Sequence, residues 1–531
     1  MFNATLELSN LNGVNGFAIN GVDAQSGSGC SVDSAGDVNN DGIPDIIIGA
    51  SIASPGGRSK AGASYVVFGQ SSGFSTPFEL STLNGINGFV INGVSTNDNS
   101  GWSVSAAGDI NDDGISDVII GAPSASPGGR TSAGASYVVF GKNTSFTSPL
   151  ELSTLNGANG FVMNGANAYD FSGGFVDAAG DVNGDGIDDV IIGVRSASPG
   201  GRTQAGASYV VFGQSTGFAS SLELSTLNGS NGFVMNGVNA YDSTGWSVSA
   251  AGDVNKDGIA DVIIGAPNAS PGGRNQAGAS YVVFGQSSGF STPFELSTLN
   301  GANGFVINGV SANGNSGWSV GAAGDVNDDG VTDVIIGAVN FSPDDHKWAV
   351  ASYVVFGQSS GFNTPFELST LNGANGFAIN GVSAEDESGW SVNGAGDING
   401  DGAADIIIGA TQPFSYSNAA GTSYVIFGQS SGFSTPFELS TLNGTNGFAM
   451  KGVNPGDNSG DSVSAVGDVN GDGISDVIIG ADDASPDYGY LPRAGTSYVV
   501  YGQSSVGFFA HHEAAGKNFA PVEQPTMKLG M

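Results

Sequence analysis

The sequence is short of cations, thiols, long apolar runs and helical periodicity, and each shortage closes off a class of function. Only 13 Lys and Arg stand among 531 residues, against 49 Asp and Glu, for a formal net charge of −36. A surface that binds nucleic acid needs clustered cations to neutralise phosphates; here they are few and scattered, so no nucleic-acid partner is expected. Cys30 is the single cysteine, which leaves no intrachain disulfide, so stability must come from burial, backbone pairing or bound ions. No stretch approaches the roughly 18 continuous apolar residues of a membrane helix. Runs such as Asp117–Ala122 (DVIIGA) are strand length, and no membrane insertion is expected. The first residues, MFNATLELSN, show no basic segment followed by an apolar one, so no N-terminal signal peptide is visible. Histidine is nearly absent as well: His346, His511 and His512 are the three in the chain, and no G-x-S-x-G motif accompanies them. His346 beside Asp344 and Asp345 has no legible second partner, so the chain reads as a non-enzyme.

What the sequence has is repetition. The segment GDVNNDGIPD, whose first Asp is Asp37, recurs with its first Asp at Asp109, Asp181, Asp253, Asp325, Asp397 and Asp468, an interval of about 72 residues. Within the second unit four segments read as strands: Phe89–Val94, Trp102–Ile110, Asp117–Ala122 and Ala135–Gly141. They are rich in Val, Ile, Phe and Tyr and are bounded by Gly, Asn, Ser and Pro. Four strands per unit and seven units predict an all-β, seven-bladed propeller over residues 1–502, with four antiparallel strands per blade and a C-terminal tail over 503–531. An open solenoid would need atypical end repeats, yet the first and last copies both carry the complete motif.

Each motif reads D-x-N-x-D-G-x-x-D. A hard cation such as Ca²⁺ takes six to eight oxygens at about 2.3–2.6 Å. Side chains at positions one, three, five and nine with the carbonyl of position seven can supply them, and Gly at six permits the tight turn. The candidate ligands are Asp37, Asn39, Asp41, Ile43 and Asp45 in the first copy and Asp109, Asn111, Asp113, Ile115 and Asp117 in the second. The third and fourth copies give Asp181, Asn183, Asp185, Ile187 and Asp189, then Asp253, Asn255, Asp257, Ile259 and Asp261. The fifth gives Asp325, Asn327, Asp329, Val331 and Asp333, and the sixth Asp397, Asn399, Asp401, Ala403 and Asp405. The seventh gives Asp468, Asn470, Asp472, Ile474 and Asp476. Asp, Asn and Gly are also ordinary turn formers. Three acids packed into nine residues repel one another without a cation, however, and all seven copies keep them, so up to seven Ca²⁺ ions are expected.

These loops, the strand that follows them and the trailing GA resemble FG-GAP repeat proteins, and the seven units together are similar to the propeller of integrin alpha subunits. The resemblance implies that WSVSAAGDI is an inner strand and DVIIGA the second. ASYVVFG is then the third, and FVINGV of the next unit the outer strand. It also implies ring closure by Phe17–Val22, set as the outer strand of the last blade beside Ser497–Gly502. There are departures from the family pattern: GAP stands only at Gly121–Pro123 and Gly265–Pro267, and Ser-Gly, as at Ser100–Gly101, or Thr-Gly, as at Thr244–Gly245, replaces Phe-Gly, often before Trp (Trp102, Trp246, Trp318, Trp390).

If the acidic loops crowd one face, a protein or glycan ligand should meet the opposite face. There the first four second-to-third connectors repeat SPGGR, ending at Arg58, Arg130, Arg202 and Arg274, and these arginines are expected to brace carbonyls or neighbouring carboxylates. The last three connectors diverge and offer Phe341, Trp348, Phe414, Tyr416, Tyr488 and Tyr490 as candidate ligand-binding aromatics. The expected role is a calcium-binding adhesion or ligand-binding module, secreted or at the cell surface. The alternatives are a structural surface-layer or matrix protein without a specific ligand, and part of a hydrolase. The resemblance extends to a phospholipase D that carries a catalytic domain beside its propeller, for which this sequence leaves no segment of sufficient length.

Overall fold

A computed structural model describes residues 2–339, 351–383, 386–411, 419–486 and 491–504. Seven sheets form the blades of an all-β propeller. In the first blade the order runs Ser31–Gly36, Asp45–Ala50, Ala63–Val67 and Gly88–Asn92, all antiparallel, from the axis outward. The strand bounds are slightly shorter than the sequence implied: Gly88–Asn92 rather than Phe89–Val94 and, in the second blade, Ser103–Gly108 rather than Trp102–Ile110.

Four strands per blade is one too few. A fifth, short strand lies parallel on each outer strand, as Leu150–Glu151 does on Ile91 and Asn92. It comes from the following unit, between that unit's third and outer strands, so every unit reaches back to the blade before it. Two residues of backbone pairing leave no propensity signal in a sequence, and the strand exists only because the neighbouring edge is there to receive it.

The second strands show why the blades stack. Asp45–Ala50 is buried throughout, which is what an unbroken apolar run means in a strand covered on both faces. Ile46 and Ile48 join Val32 and residues of the seventh blade such as Ile478, Val499 and Phe17. Ile47 points the other way, into a cluster with Val104, Val118 and Ile120 of the second blade. The core is therefore seven layers between blades rather than one centre. Each layer contains a fully buried Phe from an outer strand stacked on another aromatic ring: Phe89 on Phe146 at 4.0 Å, Phe233 on Phe290 at 3.9 Å. Gly49 is required where the second strand ends, because a Cβ there would strike the carbonyl oxygen of Gly101 in the next blade.

Closure uses both ends of the ring. Gly16–Asn20 pairs antiparallel with Thr496–Val500 as the outer strand of the seventh blade, close to the implied Phe17–Val22. The N-terminal segment does more than expected: Thr5–Glu7 lies parallel on Ala449–Lys451 as the fifth strand of the sixth blade. Phe2 also stacks on Phe448 at 4.1 Å.

Candidate functional site

Each acidic loop links an inner strand to the second strand of its blade, so all seven open on one end of the ring. Local geometry is set by two left-handed residues. Position four takes φ 58° at Asn40, 61° at Asp112 and 61° at Lys256, and position six is glycine at φ 88° in Gly42, a conformation that costs a Cβ-bearing residue energy. The first carboxylate closes the turn: Asp37 accepts hydrogen bonds from the amides of Asp41 (3.0 Å) and Gly42 (2.7 Å), and the same pair recurs at Asp109, Asp253, Asp325, Asp397 and Asp468.

Position nine is the buried acid. Asp45 is 0 % exposed and accepts from the amides of Val38 (3.0 Å) and Gly69 (2.9 Å), tying its loop to the end of the third strand. Two amide donors alone would hold a carboxylate low. Burial outweighs them and pushes Asp45 up to about 8, with the charges of Asp41 and Asp37 adding to the rise. Asp117, Asp189, Asp261, Asp333, Asp405 and Asp476 are raised to about 8 for the same reason. At position three, the Oδ1 atoms of Asn39, Asn327 and Asn399 are buried without a hydrogen-bond partner, whereas those of Asn183, Asn255 and Asn470 accept the amide two residues on. Among the described residues no three His, Cys, Asp or Glu side chains stand in a ligating cluster. What each loop holds is a set of hard oxygens of mixed kind, with mutually repelling acids around a buried one and, in three loops, an orphaned amide oxygen. That set suits a hard divalent cation.

The opposite end carries the connectors. The arginines meet carboxylates as expected: Arg58, Arg130, Arg202 and Arg274 lie 2.5–2.7 Å from Glu151, Glu223, Glu295 and Glu367. The candidate aromatics Phe341, Trp348, Phe414, Tyr416, Tyr488 and Tyr490 fall outside the described residues, as do the three histidines.

Sequence reasoning missed the axial cavity on this face. A space of 560 Å³ opens where the inner strands begin, walled by Phe175, Trp246, Trp318 and Trp390 on one side and by Asp461, Asp482 and Cys30 on the other. Adjacent rings touch around the wall, with centroids 6.5, 4.6 and 5.1 Å apart. Below them, serine hydroxyls accept the next blade's amide, as Ser247 Oγ does from Val320 and Ser319 Oγ from Val392. Deeper still, Asp33 and Asp177 receive Ser464 and Ser105 hydroxyls. The signal was present: Trp246, Trp318 and Trp390 recur at 72-residue spacing, and a ring symmetry converts equal spacing into a common radius.

The family described as FG-GAP repeat matches residues 31–67, 100–139, 173–211, 244–283, 388–426 and 459–500, which lie in six of the seven blades. Phosphatidylinositol-glycan-specific phospholipase D of Bos taurus is 34% identical over 180 residues, 34% of this chain and 20% of that protein. Integrin alpha pat-2 of Caenorhabditis elegans is 32% identical over 256 residues, 45% of this chain and 18% of its own. Integrin alpha-5 of Xenopus laevis is 29% identical over 192 residues, 36% of this chain and 15% of its own. The matches thus span a fifth of these relatives' length or less. Among the described residues, no helix is long and apolar enough to cross a membrane.

Proposed function

For a chain that is a seven-bladed propeller of FG-GAP repeats, related to integrin alpha subunits, we propose the role of a calcium-stabilised, extracellular or surface-associated adhesion module. Its protein or glycan ligand docks on the connector face, and it performs no catalysis. One observation carries the calcium part: a fully buried acid in every loop, pushed up to about 8 beside two further acids. In the first loop Asp37, Asn39, Asp41, the Ile43 carbonyl and Asp45 would hold the ion, with the equivalent residues in the other six. A bound divalent ion supplies the countercharge that lets the three carboxylates stay ionised together. The protein's own residues then do the rest: backbone amides of positions five and six orient the first carboxylate, and the ninth pins the loop to the third strand.

An extracellular setting suits loops of this kind, since millimolar calcium fills even sites of about 10⁻⁴–10⁻³ M in part. The kinship to proteins named as integrin alpha subunits supports adhesion. The test is thermal unfolding with calcium and with a chelator, alongside calcium counted per chain. A melting point that falls steeply on chelation, with several ions bound, is expected. An unchanged melting point and no bound calcium would overturn the reading.

A further inference from the structure

We propose that the axial cavity on the connector face binds a small organic cation, an alkylammonium or quaternary ammonium group, between the Trp246–Trp318–Trp390 wall and the carboxylates of Asp461 and Asp482. The inference rests on the reading of the connector face as the binding face and names the chemistry of what enters it.

The lining is lopsided in charge. Asp33, Asp177, Asp461 and Asp482 face the cavity against one base, Arg195. That base is already engaged: its guanidinium carbon sits 4.6 Å from the centroid of Trp246. None of the four acids is in an ion pair among the described residues; Arg493 pairs with Asp483 instead. Asp482 Oδ1 is buried with no hydrogen-bond partner, and the Trp390 side chain is near enough to Asp461 to lower its pKa, which brings the aromatic wall up to the acidic one. Burial and the neighbouring acids push Asp461 up to about 8 and Asp482 to about 6, the latter even though the charge of Arg493 draws it down.

The rim decides what kind of cation fits. A bare divalent ion wants six to eight oxygens, whereas this mouth offers four indole rings, Trp102 among them, and Phe175. Indole faces attract cations whose hydration is weak, with about 2 kcal/mol or more gained when the site is desolvated. A cavity of 560 Å³ is within the range of small-molecule sites. Below the wall, the serine hydroxyls of Ser247 and Ser319 are already bonded to backbone amides, so they hold the inner strands at fixed spacing and keep the aromatic rings in place.

The probes are choline and its uncharged isostere 3,3-dimethylbutan-1-ol, titrated into the full calcium-loaded chain and followed by tryptophan fluorescence and calorimetry. Saturable choline binding is expected, at least about tenfold tighter than the isostere. Asp461→Asn and Trp318→Leu should each weaken it about tenfold while keeping a cooperative, calcium-dependent melting transition. Asp461→Asn keeps the shape of the site, so it remains informative if Trp318→Leu fails to fold. Phosphatidylcholine vesicles form a second arm: sedimentation with vesicles assigns the ammonium group to a lipid headgroup, and binding of free choline assigns it to a soluble ligand. Failure of both, equal binding of choline and the isostere, choline binding unchanged in both variants, or saturable binding of a monosaccharide in choline's place would each overturn the proposal. Chelation is read on the same sample. Absent choline binding with an intact calcium shift sinks this inference alone, and an absent calcium shift sinks the calcium reading instead.

Discussion

Arg58 Nη2 lies 2.6 Å from Glu151 Oε2 although 93 residues separate them in the chain. Arg58 lies on the connector between the second and third strands of the first blade, and Glu151 is on the fifth strand lent to that blade by the next unit. The other oxygen of Glu151 accepts from Asn92 Nδ2 at 2.7 Å. One carboxylate therefore fastens the connector, the outer strand and the borrowed strand together. The arrangement repeats at Glu223, Glu295 and Glu367.

Its two halves should differ in worth. Arg58 and Glu151 are each about a third exposed, so Arg58→Ala is expected to cost no more than about 1 kcal/mol. Asn92 is buried at 8% exposure, and removing its acceptor strands a polar group, which costs about 1–3 kcal/mol. Glu151→Ala should therefore destabilise more than Arg58→Ala in chemical denaturation, and Glu151→Gln should recover most of the difference.

Calcium should act as a structural ligand. At about 100-fold excess over the dissociation constant, each site adds roughly 2.7 kcal/mol to folding, against a net stability of about 5–15 kcal/mol. Calorimetric scans with chelator should show a large fall in melting temperature. Asp37→Ala should remove one ion from the count and leave the others in place.

Removing residues 1–21 should open two blades. It deletes the outer strand of the seventh and the fifth strand of the sixth, together with the buried Leu8 and Phe17. Hydrogen exchange should rise first at Thr496–Val500 and next at Gly447–Lys451, with the strands of the third and fourth blades protected longest. Uniform loss of protection around the ring would contradict this.

The axial acids make stability depend on pH. Asp461, Asp177 and Asp482 sit at about 8, 7 and 6, all raised by burial above the ordinary 3.8. Asp482 and Asp483 add repulsion at Asp461, and Asp33 adds it at Asp177. The folded chain thus keeps protons that the unfolded chain releases. Their contribution is full below about pH 4 and is lost progressively as pH rises from there to about 8. With calcium saturating, so that the loop acids stay ionised, unfolding free energy should fall across that window. Asp461→Asn should flatten the slope by up to about 1.4 kcal/mol per pH unit.

The sequence alone determined the number of blades and the seven acidic loops, while the order of the four main strands and the closing strand came from the resemblance to FG-GAP repeats. These are properties of a unit repeated in register, and a period read along the chain becomes an angle around an axis. Alternation carried the rest: a run such as Asp45–Ala50 has no polar face, so it had to be covered on both sides. Tertiary structure decided what repetition could not encode. The fifth strand and the second role of the N-terminal segment depend on an open edge presented by a different unit. The burial that drives Asp45 to about 8 comes from the packed blades around it, and the amide of Gly69, 24 residues on, only partly offsets it. The cavity exists because seven inner strands leave a gap at the axis, which brings Trp246, Trp318, Trp390 and Asp461 to one rim. Their spacing was in the sequence, but convergence is a property of the closed ring.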